Sequence, residues 1–376
     1  MTTCQPSGFL RDRFWPGRAC RVRNGHDLCR TDPFYAFPAT GPDGRSEANV
    51  NRYLFYIFAL LVLALPHVTR GTQTEFAIEL ILTGIFALSL NILIGRLGLI
   101  SFGHGMFFGV GAYLAAFQLR YMTDNLFLLL IVAVLVGALI ALLVGALVLR
   151  LGGVGFVMIT IAMCQLVYVL ILSTQTLSGG INGLTSIPRP TFWKDAPSLL
   201  SLDTGATFFY VALACLVSFI WLLKRLDASE MGAVFEGIRQ NPARMLALGY
   251  PVRAFQLAGF VMAGSAAAVA GALHASLFGF VDPTVFFWTT SGEVILMVIL
   301  GGATALYGPL VGAAIFLSLF HYLSGLTDHW RLVLGLVFVG VVLYAPRGLV
   351  PLLADSRTRW LERRASVSKI QSGVKS

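Results

Sequence analysis

Long apolar runs alternate with short polar ones from Tyr53 to Leu353. Only residues 224–253 break that alternation with an extended polar stretch that carries a periodicity of its own. A helix needs about 20 apolar residues to cross a bilayer, and the run boundaries predict spans at Tyr53–Leu65, Glu75–Ile94, Leu97–Leu119, Leu126–Leu149 and Val154–Leu172. Further spans are predicted at Thr207–Leu223, Phe255–Ala275, Trp288–Leu300, Leu310–Leu323 and Leu332–Leu343. Some are short, and glycine interrupts others at Gly103, Gly105, Gly301-Gly302 and Gly308-Pro309, so broken or re-entrant helices are expected among them. The fold class is all-α, a polytopic membrane protein with about eight to ten transmembrane helices.

Within 224–253, Met231, Val234, Phe235 and Ile238 recur at the i, i+3, i+4, i+7 spacing of a helix with one apolar face, capped by Asp227 or Ser229. Asn241 suits the next N-cap, Pro242 the first helical position, Gly249 the position past the end and Pro251 the stop, which predicts a second, two-turn helix over Pro242–Leu248. So short a helix is marginal alone. The pattern leaves two readings open: a docking element for another protein, or a connection lying on the membrane surface.

Composition sharpens this picture. With 57% hydrophobic residues, 12% charged and a mean hydropathy of +0.78, the chain lies far from soluble proteins. The net charge of +9 comes mainly from Arg11–Arg52, the central stretch and Arg347–Lys375. The positive-inside rule puts all three in the cytoplasm, which an even number of spans permits, and makes nucleic-acid binding the weaker explanation of the charge. Residues 1–50 lack both an apolar face and a signal-peptide core and read as a disordered cytoplasmic extension; 51–353 form the membrane domain, and 354–376 a basic cytoplasmic tail. Cys4, Cys20, Cys29, Cys164 and Cys215 form no C-x-x-C pair, which suggests neither a disulfide framework nor a zinc site.

Catalysis finds little support. The lysines, Lys194, Lys224, Lys369 and Lys375, never follow glycine, so a nucleotide-binding P-loop is excluded, and neither an H-E-x-x-H helix nor a G-x-S-x-G elbow is present. Ionisable groups inside the apolar runs are few: Glu79, Glu293 and His104. Such groups usually face protein or a water-filled path, or sit near an interface. An ion-coupled secondary transporter would want more of them at mid-depth.

Several runs carry a resemblance. Glu236-Gly237-Ile238-Arg239-Gln240-Asn241-Pro242 followed by Ala247-Leu248-Gly249, then Asn91–Gly95, Ser101-Phe102-Gly103-His104 and Phe107–Tyr113 are similar in order and spacing to the LivM-type permease subunits of branched-chain amino acid ABC importers. Ser178–Leu184, Ser291–Met297, Gly308–Ala313 and Pro346–Leu349 extend the likeness over nearly all of 53–353. The resemblance implies a bacterial inner-membrane importer subunit, multi-pass with both termini cytoplasmic. Its implied partners are a homologous second permease, two ATP-binding subunits, a soluble substrate-binding protein and membrane lipid. This chain is then no enzyme and binds no cofactor, with ATP and magnesium held by the partner subunits.

The resemblance also implies that Glu236, Arg239, Asn241, Pro242, Ala247, Leu248 and Gly249 couple to the ATPase. Ser101, His104, Gly180, Asn182, Gly183 and Glu293 are the candidates for the translocation path. One run departs from the family: Leu99-Ile100 stands where Gly-Gln is common, which leaves urea and short amides beside branched-chain amino acids as substrates.

Overall fold

The structure is a computed structural model, and it describes residues 66, 71–191, 205–326, 329–344 and 348–352. The extension 1–50, the span predicted at Tyr53–Leu65 and the basic tail lie outside them.

The apolar runs become helices almost where the sequence places them. They are α1 (Thr72–Asn91), α2 (His104–Tyr121), α3 (Leu126–Val148), α4 (Val154–Ser173), a single turn α5 (Gln175–Ser178), α6 (Gly205–Asp227), α7 (Glu230–Gln240), α8 (Pro242–Ala247), α9 (Val252–Phe278), α10 (Trp288–Gly301), α11 (Gly308–Leu326) and α12 (Trp330–Tyr344). Among the described residues, α1 with its extension, α3, α4, α6, α9 and α11 are long and apolar enough to cross a membrane, and α10 and α12 are shorter apolar helices. Large apolar side chains point outward, Leu135 and Leu143 among them at 62% and 64% exposure, as a lipid-facing surface requires. The protein is a multi-pass, all-α membrane protein.

Helix α9 is the centre, with α1, α2 and α3 packed around it. Lipid tails are as apolar as leucine, so helices here associate through close backbone approach. At the α2–α9 crossing the approach is reciprocal: a Cβ on Gly111 would land on the Ala268 carbonyl, and one on Gly271 on the Phe108 carbonyl. The Gly105 and Gly109 face of α2 does something else, receiving the 3₁₀ turn Pro283–Phe286 and the start of α10.

Two spans are broken. Helix α1 runs on as a π-helical segment, Ile92–Leu97, ended by Gly98 at φ 71°. The chain then has no regular helix until Gly103, so the predicted span Leu97–Leu119 is corrected: its helix begins at His104, because the Gly98–Gly103 stretch turns back instead of continuing. The second break follows α9, where Phe280–Val281 (β2) pairs antiparallel with Leu184–Thr185 (β1) and the 3₁₀ turn leads into the 14-residue α10. The β1–β2 pair marks one end of the bundle, here the hairpin end; α7 and α8 mark the opposite, loop end.

Candidate functional site

The loop end is assembled by ion pairs and one buried face. Val234, Phe235 and Ile238 of α7 are buried, and α7 packs on the π segment, α6 and α9. Of the two candidate caps, Ser229 takes the role by accepting from the Gly232 N–H at 3.4 Å. Asp227 instead accepts a two-pronged bond from Arg96 of the π segment, Nε to Oδ1 at 2.5 Å and Nη2 to Oδ2 at 2.7 Å. Arg239 grips Glu236 through Nε at 2.9 Å and Nη2 at 2.6 Å, while its stem lies beside Gly98. Burial pushes the Glu236 carboxyl up, but bonds from Arg239 and Gln240 and the guanidinium charge outweigh it and hold the group below the usual carboxylate range.

Asn241 caps α8 by accepting from the Arg244 N–H at 3.0 Å, Pro242 opens it, Leu248 closes it, and Gly249 follows at φ 86°. The predicted helix is thus one residue shorter, Pro242–Ala247. No residue of α8 is buried, and Leu246 and Leu248 stand 66% and 67% exposed. Met245, set against Gly237, holds it to α7.

The middle of the bundle holds the second constellation. His104 and Ser101 are fully buried. The single hydroxyl proton of Ser89 goes to the Phe86 carbonyl at 2.7 Å, so Ser89 receives the His104 Nε2–H at 2.8 Å and leaves Nδ1 a bare acceptor. The ring lies stacked on Phe86 with centroids 5.5 Å apart. Ser89 lies eight residues before the end of the π segment at Leu97 and yet meets His104, so the stretch from Gly98 to Gly103 climbs back into the bundle before α2 starts.

There the two breaks meet. The Gly105 N–H donates to Ser291 Oγ of α10 at 2.7 Å. Helix α4 touches both: Thr160 accepts from the Phe102 N–H at 3.3 Å, and the Cys164 thiol donates to the Phe286 carbonyl at 2.9 Å. Phe156, Thr160 and Cys164, at i, i+4 and i+8, are the buried residues of α4. Ser101 Oγ and His104 Nδ1 are buried there without a hydrogen-bond partner, and Asn91 Oδ1, beside Gly95 of the π segment, has none either.

The structure therefore brings only part of the predicted path together. Ser101 and His104 share the central cluster. Gly180, Asn182 and Gly183 lie at the hairpin end, with Gly183 at φ 66° against the Val281 carbonyl and Asn182 exposed. Glu293 is exposed on α10, two residues beyond buried Ser291. Ser89, Thr160, Cys164 and Ser291 were not among the path residues expected from sequence, although polar residues in apolar runs were a usable signal.

Residues 73–342 match the family described as "Branched-chain amino acid transport system / permease component". Two high-affinity branched-chain amino acid transport system permease proteins are similar to the chain, LivM of Escherichia coli strain K12 at 29% identity over 341 residues and LivM of Salmonella typhimurium strain LT2 at 28% over 340. Each alignment covers 85% of this chain and 79% of the relative. No solved structure matches.

Proposed function

The chain belongs to the family of branched-chain amino acid transport system permease components, and from that premise we propose that it carries branched-chain amino acids inward across a bacterial inner membrane, driven by ATP hydrolysis on separate subunits. Helix α8 carries this reading: a capped helix with no buried residue, presenting Leu246 and Leu248 from a firmly seated α7, is shaped to fit a cleft of the ATPase. Glu236, Arg239, Asn241, Pro242, Ala247, Leu248 and Gly249 form the coupling element. Arg96, Arg150, Lys224, Arg225, Arg239, Arg244 and Arg253 gather at or beside the loop end, which the positive-inside rule makes cytoplasmic. A soluble binding protein would dock at the hairpin end, and a homologous permease would complete the membrane part.

Motion of α8 reaches the path through α7, the Arg96–Asp227 pair and the π segment. The central cluster, where two helix starts converge on unpartnered polar atoms, is the gate, a two-state element that both partners bias. The test is ATPase activity and radiolabelled uptake by the assembled complex in proteoliposomes, with leucine, urea and acetamide offered through the binding protein. Leucine is expected to stimulate both. Stimulation by urea or acetamide alone would reassign the substrate, in keeping with the Leu99-Ile100 departure, and ATPase activity indifferent to α8 substitutions would remove the coupling role.

A further inference from the structure

Gly137 of α3 lies against Ser265 of α9 and Gly145 against Leu257, so eight residues forward on one helix match eight back on the other and the two run antiparallel in fixed register. Carried to the loop end, that register sets Arg150, just past α3, beside Val252 and Arg253 at the start of α9. Between the two helix ends a groove of about 210 Å³ opens, walled by Leu149 and Leu257, with Gly145 and Ala254 too small to fill it. Both arginines line it and are exposed. From Leu149 down to Gly145 is about 6 Å of helix, so the apolar part runs toward the bilayer centre, beside the exposed Leu142, Leu147 and Leu151.

The charge at its mouth is unanswered. Neither guanidinium has an ion pair or side-chain hydrogen bond among the described residues, while Asp227 and Glu236 of the same end are already held by Arg96 and Arg239. The positive end of the α9 dipole adds to the two arginines. A guanidinium is planar and weakly hydrated, and its fork matches a phosphate. Basic pockets between membrane helices at the cytoplasmic boundary take anionic lipid headgroups. An acidic segment of the ATPase could answer the two charges, but it would leave the apolar part empty at membrane depth. A lipid answers the charges with its phosphate and fills the groove with hydrocarbon.

We propose that this groove is a binding site for an anionic phospholipid of the cytoplasmic leaflet. Its phosphate sits between Arg150 and Arg253, and one acyl chain lies over Gly145 between Leu149 and Leu257. The choice of leaflet follows from the cytoplasmic loop end; the site itself is independent of which solute is carried.

The test uses the whole importer in proteoliposomes doped with phosphatidylglycerol that carries a diazirine in one acyl chain, and crosslinks are located by peptide mass spectrometry. Labelling is expected within residues 145–150 or 253–257, and it should be competed by plain phosphatidylglycerol but neither by phosphatidylcholine nor by inorganic phosphate. Arg150→Gln and Arg253→Gln should each lower labelling at limiting probe by about fivefold, the factor for one cation beside an anionic lipid. Arg244→Gln, on the exposed α8, should leave it unchanged. Ala254→Leu fills the groove with both arginines intact and should block labelling, with the amount of assembled complex unaltered. Equal labelling by a phosphatidylcholine probe, labelling that survives the double arginine substitution, or displacement by inorganic phosphate would each overturn the lipid site. So would labelling of the isolated chain that vanishes in the assembled importer, which would give the groove to another subunit.

Discussion

Ser291 shows how much one hydroxyl carries when it sits between two chain breaks. It gives the Gly105 N–H its acceptor in a buried place, so Ser291→Ala should cost about 1–3 kcal/mol through the orphaned donor, read as a lower unfolding temperature of the detergent-purified chain. Glu236 gives a pH signature. Its folded-state carboxyl lies below the ordinary value of about 4.3, so its contribution is complete above that value and fades as the pH falls through the lowered one. Acidification from pH 6 to 3.5 should therefore destabilise the natural protein slightly more than Glu236→Gln, a small difference because the pair is partly exposed and screened by solvent. Gly249 was legible in the sequence as the residue past a helix end, and it takes φ 86° as expected. The Ser89 bond to His104 was not legible, because a serine in an apolar run announces a buried polar group without saying which break of the chain returns to meet it.

Helix α8 is the element whose placement can be disturbed without touching its surface. A Cβ on Gly249 would meet nothing within 4 Å, so substitution there acts through the backbone alone. The left-handed conformation costs an ordinary residue roughly 1–2 kcal/mol, and asparagine tolerates it best. Uncoupling of ATP hydrolysis from uptake should rank Val above Ala above Asn at this position, with membrane insertion unchanged; equal coupling in all three would make α8 a mere connection. Arg239→Glu places like charges three residues apart against Glu236 and should weaken ATPase pull-down. Reversing both members of the Arg96–Asp227 pair should restore part of the coupling that either reversal alone removes. The long helices were readable because an apolar run of fixed length has one solution in a bilayer. The π segment and the start of α2 at His104 were not, since Leu97 through Gly103 is apolar and glycine-rich enough to continue a span. What turns it aside is tertiary: Gly95 against the Ala303 carbonyl and Gly98 under the Arg239 stem.

For the molecule as a whole, the family match begins at residue 73, and a chain lacking residues 1–50 is expected to assemble and transport normally, checked by complex yield and uptake; loss of the complex would give the extension a structural part. The apolar pattern disclosed the order of the long helices, and the glycine runs that some spans would be broken; of the ten spans predicted, six are long enough to cross a membrane among the described residues and two more are shorter apolar helices. The gathering of both breaks on α4 was hidden, because it depends on two residues of one helix, Thr160 and Cys164, that look in sequence like ordinary occupants of an apolar run. That gathering has a mechanical meaning. Thr160 holds the break that approaches from the loop end and Cys164 the one that approaches from the hairpin end, four residues and one helical turn apart on the same rod. Both contacts lie on one face of α4, so a shift of that single helix is felt at both breaks together.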